Sequence, residues 1–312
     1  MSIVHDMLTA AENRQAENGS LWIPDTIERK PSPVTRDMPK EIVNDFYDLK
    51  EHIRLSNLRD DVRVISVADS SQGEGSSSIA TYLAFLLAGG MVNSLERSGA
   101  AETAPKSVNS KPRDYSESDK LFTSSFNSLN HDATTSNVFK GWRDSIDSRY
   151  IDVDNRDCTL LIDANIHQPR IHRYFGLDVE NGLAEIVENG NDWTGLAKPV
   201  RDSYLKIITA GIAKHNPVEV LSSDRFVSLV REWRTAFRYV ILDSPAILTH
   251  VDALSLAAAA DGVVLVVRAG HTRWDNAQNA KRKLTAAQAN LIGVTLNQRK
   301  LDIPDGLYRR LI

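Results

Sequence analysis

The sequence predicts an α/β fold in which a mostly parallel sheet is covered by helices on both faces. Short, continuously apolar segments alternate with longer segments of helical periodicity along most of the chain. Strands that are apolar throughout are buried on both faces, which is typical of parallel sheets with crossover helices. Two of these strands end in an aspartate and a third leads into a glycine-containing loop. Such residues at the carboxyl ends of parallel strands indicate a ligand site.

The composition is that of a globular protein and excludes several classes of function. The chain has 312 residues, a formal net charge of −4 and one cysteine, Cys158. The acidic balance argues against a nucleic-acid partner, and a single cysteine excludes an internal disulfide framework or a Cys-rich metal site. No segment reaches the roughly 18–20 uninterrupted apolar residues of a membrane span, and the N-terminus lacks the pattern of a secretory signal. We therefore expect a cytoplasmic chain.

The predicted elements follow one another in the order expected of such a sheet. Residues 1–40 are polar and contain four prolines, and we interpret them as a flexible N-terminal tether. Residues 41–312 form a single predicted domain, in which short apolar runs indicate strands and helical spacing of apolar residues indicates helices. The predicted strands are 62–68, 158–163, 205–210, 239–243, 262–269 and 291–297, and the predicted helices are 41–58, 76–90, 182–188, 217–237, 251–260 and 274–289.

Residues 93–155 interrupt this alternation with a different composition. Twelve serines lie between Asn93 and Tyr150, and hydrophobic residues are sparse until Val138. A segment with so little apolar surface cannot offset the entropy lost on ordering. We therefore predict a largely disordered, serine-rich insertion within the domain.

The loop of residues 69–78, DSSQGEGSSS, follows the first predicted strand and precedes a helix. Gly73 and Gly75 allow the main chain to approach a phosphate, and the start of the next helix offers free N–H groups and the positive end of the helix dipole. A loop of this kind is often a plain turn. Its position between a strand and a helix of a parallel sheet favours a P-loop instead.

Two of the predicted strands end in an aspartate, Asp163 after LLI and Asp243 after YVIL. Because the carboxyl ends of parallel strands meet at one edge, both carboxylates are expected near the glycine loop. Together with the hydroxyl of Ser77 they are candidate ligands of Mg²⁺, which prefers oxygen. Strand-terminal aspartates also cap helices, and the sequence leaves both interpretations open.

The loop lacks a residue that a working P-loop needs. The pattern G-x-x-x-x-G-K-[ST] places a lysine after the final glycine, whereas this chain has Ser76 there and Ser70 in place of the first glycine. Loss of one such donor typically lowers a reaction rate by about 10²–10³. We expect weak binding of ATP or ADP with Mg²⁺ at most, and no other cofactor, unless Arg170 or Arg173 supplies the missing charge.

Several collinear motifs resemble those of the bacterial tyrosine kinases (BY-kinases) of capsule and exopolysaccharide synthesis, which are P-loop proteins with deviant Walker motifs. QGEGSS resembles the family's PGEGKS, and IDANIHQPRIHRYFGL resembles its second motif, Walker A′. YVILDSPAILTHVDA resembles the Walker B region, and GVTLNQ resembles GVVLN. The resemblance covers about residues 41–300 outside the insertion. It implies a P-loop NTPase-like α/β fold.

The resemblance also implies roles for individual residues. Asp163 would act on Mg²⁺ and the acceptor hydroxyl and is the candidate catalytic residue. Asp243 would be the Walker B ligand of Mg²⁺, and Asn297 would contact adenine. The implied nucleotide-binding loop consists of Gly73, Glu74, Gly75, Ser76, Ser77 and Ser78.

Four features of the family are altered in this chain: the phosphate loop, the carboxylate motifs, the tyrosine-rich tail that the family phosphorylates, and the E-x-x-R-x-x-R helix that assembles its ring. In the motifs, Ser76 replaces the lysine, Asn165 replaces the second Walker A′ aspartate, and Ala246 replaces the second Walker B proline. The tyrosine-rich tail is reduced to Tyr308 alone. The stretch that corresponds to the ring helix has Asn44, Tyr47 and Lys50.

These replacements favour a non-catalytic regulatory or scaffold subunit of exopolysaccharide biosynthesis or export. The resemblance implies a membrane-embedded co-polymerase or a glycosyltransferase as partner, which would bring the chain to the cytoplasmic face of the inner membrane, and it leaves room for a homo-oligomer. The alternative is an active ATPase or protein tyrosine autokinase. A ParA- or MinD-like positioning ATPase is a third hypothesis, which the Walker A′ motif and the segment NPVEVLSS (residues 216–223) favour less.

Three histidines, His167, His172 and His250, lie near the predicted site. Their spacing matches no metal-binding motif. We interpret them as solvated loop histidines.

Overall fold

The computed structural model describes residues 48–55, 61–88, 122–127, 154–200 and 203–299. All of them belong to one compact unit that spans residues 31–312. The predicted tether of residues 1–40 lies outside the described residues, as do Asn44, Tyr47 and Tyr308.

Eight α-helices, one short 3-10 helix (Asn155–Asp157) and eight strands are found in the described part of the chain. The helices are α1 (48–55), α2 (Ser76–Leu87), α3 (Ile171–Phe175), α4 (Leu183–Asn189), α5 (Pro217–Leu221), α6 (Asp224–Ala236), α7 (Asp252–Ala259) and α8 (Trp274–Ala286). The strands are β1 (Val64–Asp69), β2 (Phe122–Asn127), β3 (Thr159–Asp163), β4 (Lys198–Pro199), β5 (Leu205–Ile208), β6 (Tyr239–Ser244), β7 (Gly262–Arg268) and β8 (Leu291–Arg299).

The strands form one sheet in the order β2-β8-β7-β1-β6-β3-β5-β4. Every neighbouring pair is parallel except β4 with β5. Strand β1 lies at the centre between β6 and β7, so the loop that follows it is flanked by two other strand ends. The predicted α/β fold with a mostly parallel sheet of P-loop NTPase type is confirmed.

Hydrophobic side chains fill both faces of the sheet, which explains why its strands are apolar throughout. Successive residues point to opposite faces of a strand. Leu161 and Ile241 accordingly pack with helix α2 on one face. Their neighbours Leu160 and Leu242 pack with Trp233 of α6 on the other. The two layers hold the central strands rigidly, which fixes the positions of the strand ends.

Strand β2 lies within the segment that the sequence predicts to be a disordered insertion. It pairs in parallel with β8 at the edge of the sheet, with Phe122 opposite Gly293 and Ser125 opposite Leu296. An edge strand is held by main-chain hydrogen bonds, which a serine-rich sequence supplies as well as an apolar one. That the insertion as a whole is largely disordered stays a prediction. Residues 93–121 and 128–153 of the predicted insertion lie outside the described residues.

None of the helices in the described ranges is both long and apolar enough to cross a bilayer.

Candidate nucleotide site

Three neighbouring strands, β1, β6 and β3, each end in or next to an aspartate at the same edge of the sheet. Asp163 of β3 lies directly opposite Asp243 of β6. Ala68, one residue before Asp69, lies opposite Ser244. The fold thus brings Asp163 and Asp243 together beside the glycine loop, as the sequence predicts.

The glycine loop has the backbone shape that its sequence predicts. Gly73 and Gly75 have φ angles of 84° and 107°, which other residues rarely adopt. Gly75 is the N-cap of α2, and a Cβ atom there would lie 2.3 Å from the side-chain nitrogen of Asn297. Glycine is therefore required at position 75 for both conformation and space.

The amide groups at the turn of this loop are occupied by a carboxylate of the protein itself. The N–H of Ser76 donates to Oδ1 of Asp69 at 2.7 Å, and the N–H of Glu74 donates to Oδ2 at 3.1 Å. The N–H of Gly75 also lowers the pKa of this carboxylate. Consecutive amides of this kind are the group that holds phosphate in a P-loop. Asp69 therefore takes the place that the sequence analysis assigns to phosphate.

A second internal carboxylate, Glu74, closes the beginning of the same loop. It accepts the N–H groups of Ser70 at 2.8 Å and Ser71 at 3.1 Å, together with the Ser70 hydroxyl. The hydroxyl of Thr272, from the loop after β7, donates to it as well. Glu74 is 1% exposed. Its side chain therefore stabilises the loop from within, whereas the sequence analysis placed Glu74 among the nucleotide-binding residues.

The remaining predicted loop residues also lie at this site. Ser76 and Ser77 are buried in the first turn of α2, and the hydroxyl of Ser78 lies 3.4 Å from that of Tyr174. Asn297 is buried beneath the loop, where its side-chain amide donates to the carbonyl of Glu74 at 2.8 Å. Its predicted contact with adenine stays a prediction.

Asp163 and Asp243 differ in how their carboxylates are used. Oδ2 of Asp163 accepts the N–H groups of Arg170 and Ile171, both at 3.0 Å, at the start of α3. This short helix lies where the sequence analysis expects a loop. Oδ1 of Asp163 and both oxygens of Asp243 are buried without a hydrogen bond of good geometry from the described residues, although the hydroxyls of Ser77 and Ser76 lie near enough to lower the pKa of Asp243. Asp163 is thus a helix cap through one oxygen, and the other three oxygens are candidate cation ligands.

Burial changes the acidity of all three aspartates. It raises the pKa of Asp69 and of Asp163 to about 7, and it raises the pKa of Asp243 well above its usual value, with the neighbouring charge of Asp163 acting in the same direction. Asp69 and Asp163 therefore hold protons in the folded chain between pH values of about 4 and 7, where they lose them in the unfolded chain. Their contribution to stability therefore falls as the pH rises through this window.

Arg170 and Arg173, the predicted substitutes for the missing lysine, change the pKa values of groups outside the glycine loop. The charge of Arg170 lowers the pKa of Asp163, and that of Arg173 lowers the pKa of His172. The charge of Glu74, by contrast, raises the pKa of Asp69. The substitution of an arginine for the loop lysine stays a prediction.

Sequence reasoning missed the part played by Asp69, although one signal was present. A loop built to bind an anion does not ordinarily begin with an acidic residue, and Asp69 closes its strand as Asp163 and Asp243 close theirs. His167 is exposed and His250 is partly exposed, as expected of loop residues, but their rings are stacked with centroids 4.1 Å apart, a contact that the sequence does not predict. His172 lies in α3 and not in a loop.

A glycine loop joining a central parallel strand to a helix, with aspartates at the ends of the next two strands on one side, defines a P-loop NTPase-like fold. In sequence, the chain is similar to bacterial tyrosine kinases. It is 34% identical over 142 residues to the tyrosine-protein kinase YwqD of Bacillus subtilis, and the match covers 46% of this chain and 60% of YwqD. It is 31% identical over 147 residues to the succinoglycan biosynthesis transport protein ExoP of Rhizobium meliloti, which covers 46% of this chain and 19% of ExoP.

The chain thus spans less than two thirds of the length of either relative. No protein-family model matches it. In structure it is similar to the kinase domain of the Escherichia coli tyrosine kinase ETK, with a TM-score of 0.60 and 16% identity, over 93% of this chain and 89% of that domain. At this level of identity the likeness concerns the fold.

Proposed function

We propose that this chain is a non-catalytic regulatory or scaffold protein of exopolysaccharide or capsule biosynthesis, built on a tyrosine-kinase-like P-loop fold. The observation that carries the proposal is the Asp69 carboxylate, which accepts the amide hydrogens that would otherwise bind a phosphate. The replacement of the loop lysine by Ser76 acts in the same direction.

Electrostatics opposes a nucleoside triphosphate at this loop. Two unit negative charges about 4 Å apart repel by about 4 kcal/mol at an effective dielectric constant of about 20. A phosphate entering the loop would meet the Asp69 carboxylate without a lysine at position 76 to offset it. The residues present therefore do not fit a triphosphate, and we propose that ATP and ADP bind weakly or not at all.

The adjacent residues fit Mg²⁺ better than they fit the nucleotide. The buried oxygens of Asp163 and Asp243 supply hard ligands, and Ser77 lies in the first turn of α2 beside them. The Ser77 hydroxyl lowers the pKa of Asp243, against the effect of burial. A bound cation would neutralise the buried charges. Phosphoryl transfer additionally requires a positioned phosphate, which this loop does not favour.

The proposed pathway and partner rest on the relatives. ExoP is a succinoglycan biosynthesis transport protein by name, and the motif resemblance is to kinases of capsule and exopolysaccharide synthesis. We propose that the chain acts at the cytoplasmic face of the inner membrane by binding a membrane-embedded co-polymerase or a glycosyltransferase. Deletion of the gene should then alter the amount or chain length of surface polysaccharide, and unchanged polysaccharide would contradict the pathway.

Calorimetric titration of the purified chain with ATP and Mg²⁺ at pH 8, where the Asp69 carboxylate is ionised, tests the absence of catalysis. YwqD, as a relative with an assigned kinase activity, serves as the positive control. We expect no saturable binding below millimolar ATP and no phosphotyrosine after incubation. Micromolar binding with turnover would overturn the proposal.

An active ATPase or protein tyrosine autokinase is the second candidate. The observation that favours it is the pair of buried carboxylates of Asp163 and Asp243, which lie opposite each other and keep the carboxylate half of a Mg²⁺ site in place. The same titration and phosphotyrosine assay separate the two candidates. If activity appears, Asp163→Asn should abolish it while leaving the thermal unfolding transition cooperative.

A further inference from the structure

A cluster of two histidines and one aspartate lies outside the nucleotide site, on loops that follow adjacent strands. His167 belongs to the loop after β3, His250 precedes α7, and Asp252 is the first residue of α7. Because β3 and β6 are neighbours in the sheet, the loops that leave them meet on the same side. This explains how residues 83 positions apart in sequence, His167 and His250, come into contact.

The three side chains form one close cluster of potential ligand atoms. Nε2 of His167 lies 2.9 Å from Oδ2 of Asp252. The rings of His167 and His250 are stacked at 4.1 Å with an interplanar angle of 28°. One ligand atom of each residue lies within 4.8 Å of the other two. Ligands about 2.0–2.1 Å from a tetrahedral metal are about 3.3 Å apart, a change within reach of side-chain rotation.

The Asp252 carboxylate provides a second and independent observation. Its side chain is completely buried, and Oδ1 has no hydrogen-bond partner among the described residues. A buried carboxylate with an unsatisfied oxygen is unfavourable unless a cation or a further donor compensates it. The contact with His167 uses Oδ2 of this carboxylate, and a cation would bind the other oxygen, Oδ1.

The donor types also suit a metal, because a neutral imidazole has a free nitrogen lone pair that binds metal ions. Two imidazoles and one carboxylate suit Zn²⁺ and similar transition metals, whereas Mg²⁺ prefers oxygen ligands alone.

We propose that His167, His250 and Asp252 bind one Zn²⁺-class transition-metal ion. The ion would join the loop after β3 to the start of α7. It would also keep a coordination position for water or a further ligand, because three protein ligands leave a tetrahedral ion incomplete. The His167 side chain is 25% exposed, so this open position would be reachable from solvent.

The test is a titration of the full chain, first stripped of metal with a chelator, against Zn²⁺ in competition with a chromophoric chelator. We expect one ion per chain. His167→Gln, His250→Gln and Asp252→Asn should each weaken binding by at least about tenfold, since loss of even an outer partner of a metal ligand costs about 10–100-fold. Zn²⁺ should also raise the melting temperature of the unmodified chain, because it binds only the folded form.

His215→Gln is the matched control, since His215 is an exposed histidine paired with a different carboxylate, Glu188. It should leave Zn²⁺ binding unchanged. Because His250 is only partly buried, His250→Gln serves as the decisive variant if Asp252→Asn fails to fold. Absence of Zn²⁺ binding, or equal binding by the unmodified chain and His250→Gln, would overturn the proposal. Neither result would bear on nucleotide binding at the loop after β1.

Discussion

Nucleotide binding should be gained only when the internal carboxylate and the missing lysine are both corrected. The change is the double variant Asp69→Ser/Ser76→Lys. Asp69→Ser removes the group that holds the loop amides, and serine is readily accommodated at a strand end. Ser76→Lys supplies the charge that the P-loop pattern requires after its final glycine. In the single variant Ser76→Lys, the new ammonium would pair with Asp69 in place of a phosphate.

The expected gain follows from the hydrogen bonds that the carboxylate makes. Asp69 accepts the amides of Ser76 at 2.7 Å and Glu74 at 3.1 Å. A hydrogen bond to a charged group contributes about 1.5–3 kcal/mol, so about 3 kcal/mol is the lower bound for the two. At about 1.4 kcal/mol for each factor of ten, the double variant should bind ATP about 100-fold more tightly than Ser76→Lys alone.

Titration with ATP and Mg²⁺ at pH 8 measures this difference directly. The matched control is Asp69→Ser/Gln72→Lys, which has the same net charge but places the lysine at an exposed loop position. Equal affinity of the two double variants would show that general charge, and not the loop geometry, controls binding. Tight binding by Ser76→Lys alone would refute the reasoning, because it would show that Asp69 does not compete with phosphate.

Three further changes test the geometry around the site. Asp243→Asn should raise the melting temperature more at pH 8 than at pH 5, because burial raises the pKa of this carboxyl and its ionisation opposes folding; an equal rise at both pH values would contradict this. Gly75→Ala should lower the free energy of unfolding by about 1–3 kcal/mol in urea denaturation, since position 75 has φ 107° and faces Asn297; Gly195→Ala, which has open space and no positive φ, should be near neutral, and similar losses for both would count against the strain. Asp261→Asn should cost about 1–3 kcal/mol in the same assay, because its carboxylate joins two amides at the start of β1 to a guanidinium of α6; no measurable loss would show that solvent replaces these bonds.

The strands and the convergence of their ends were predictable from the sequence because both depend on strong local signals. Continuously apolar runs indicate buried strands, and parallel strands that end in aspartate place Asp163 and Asp243 at one edge. Strand β2 was not predictable in the same way. Its pairing with β8 depends on main-chain hydrogen bonds to residues far away in sequence, and its own side chains carry no strand pattern.

The side-chain contacts of the site were beyond sequence reasoning for a related reason. Glu74 matches the family motif and Asp69 is not part of it. Both carboxylates nevertheless accept hydrogen bonds from amides of their own loop. The histidines of the proposed metal site lie on separate loops, so no short spacing links His167 to His250. Only the order of strands in the sheet brings them together.

The two changes in the loop are energetically coupled, which explains why neither can be understood alone. Without a phosphate, the amides of Glu74 and Ser76 would lack acceptors inside the protein, and Asp69 supplies them. With a lysine at position 76, the same carboxylate would form an ion pair that blocks the loop. The effects of Asp69→Ser and Ser76→Lys on ATP affinity should therefore not add, because contacting residues couple. A loop whose amides bind its own carboxylate is closed to phosphate, and Ser76→Lys alone leaves it closed.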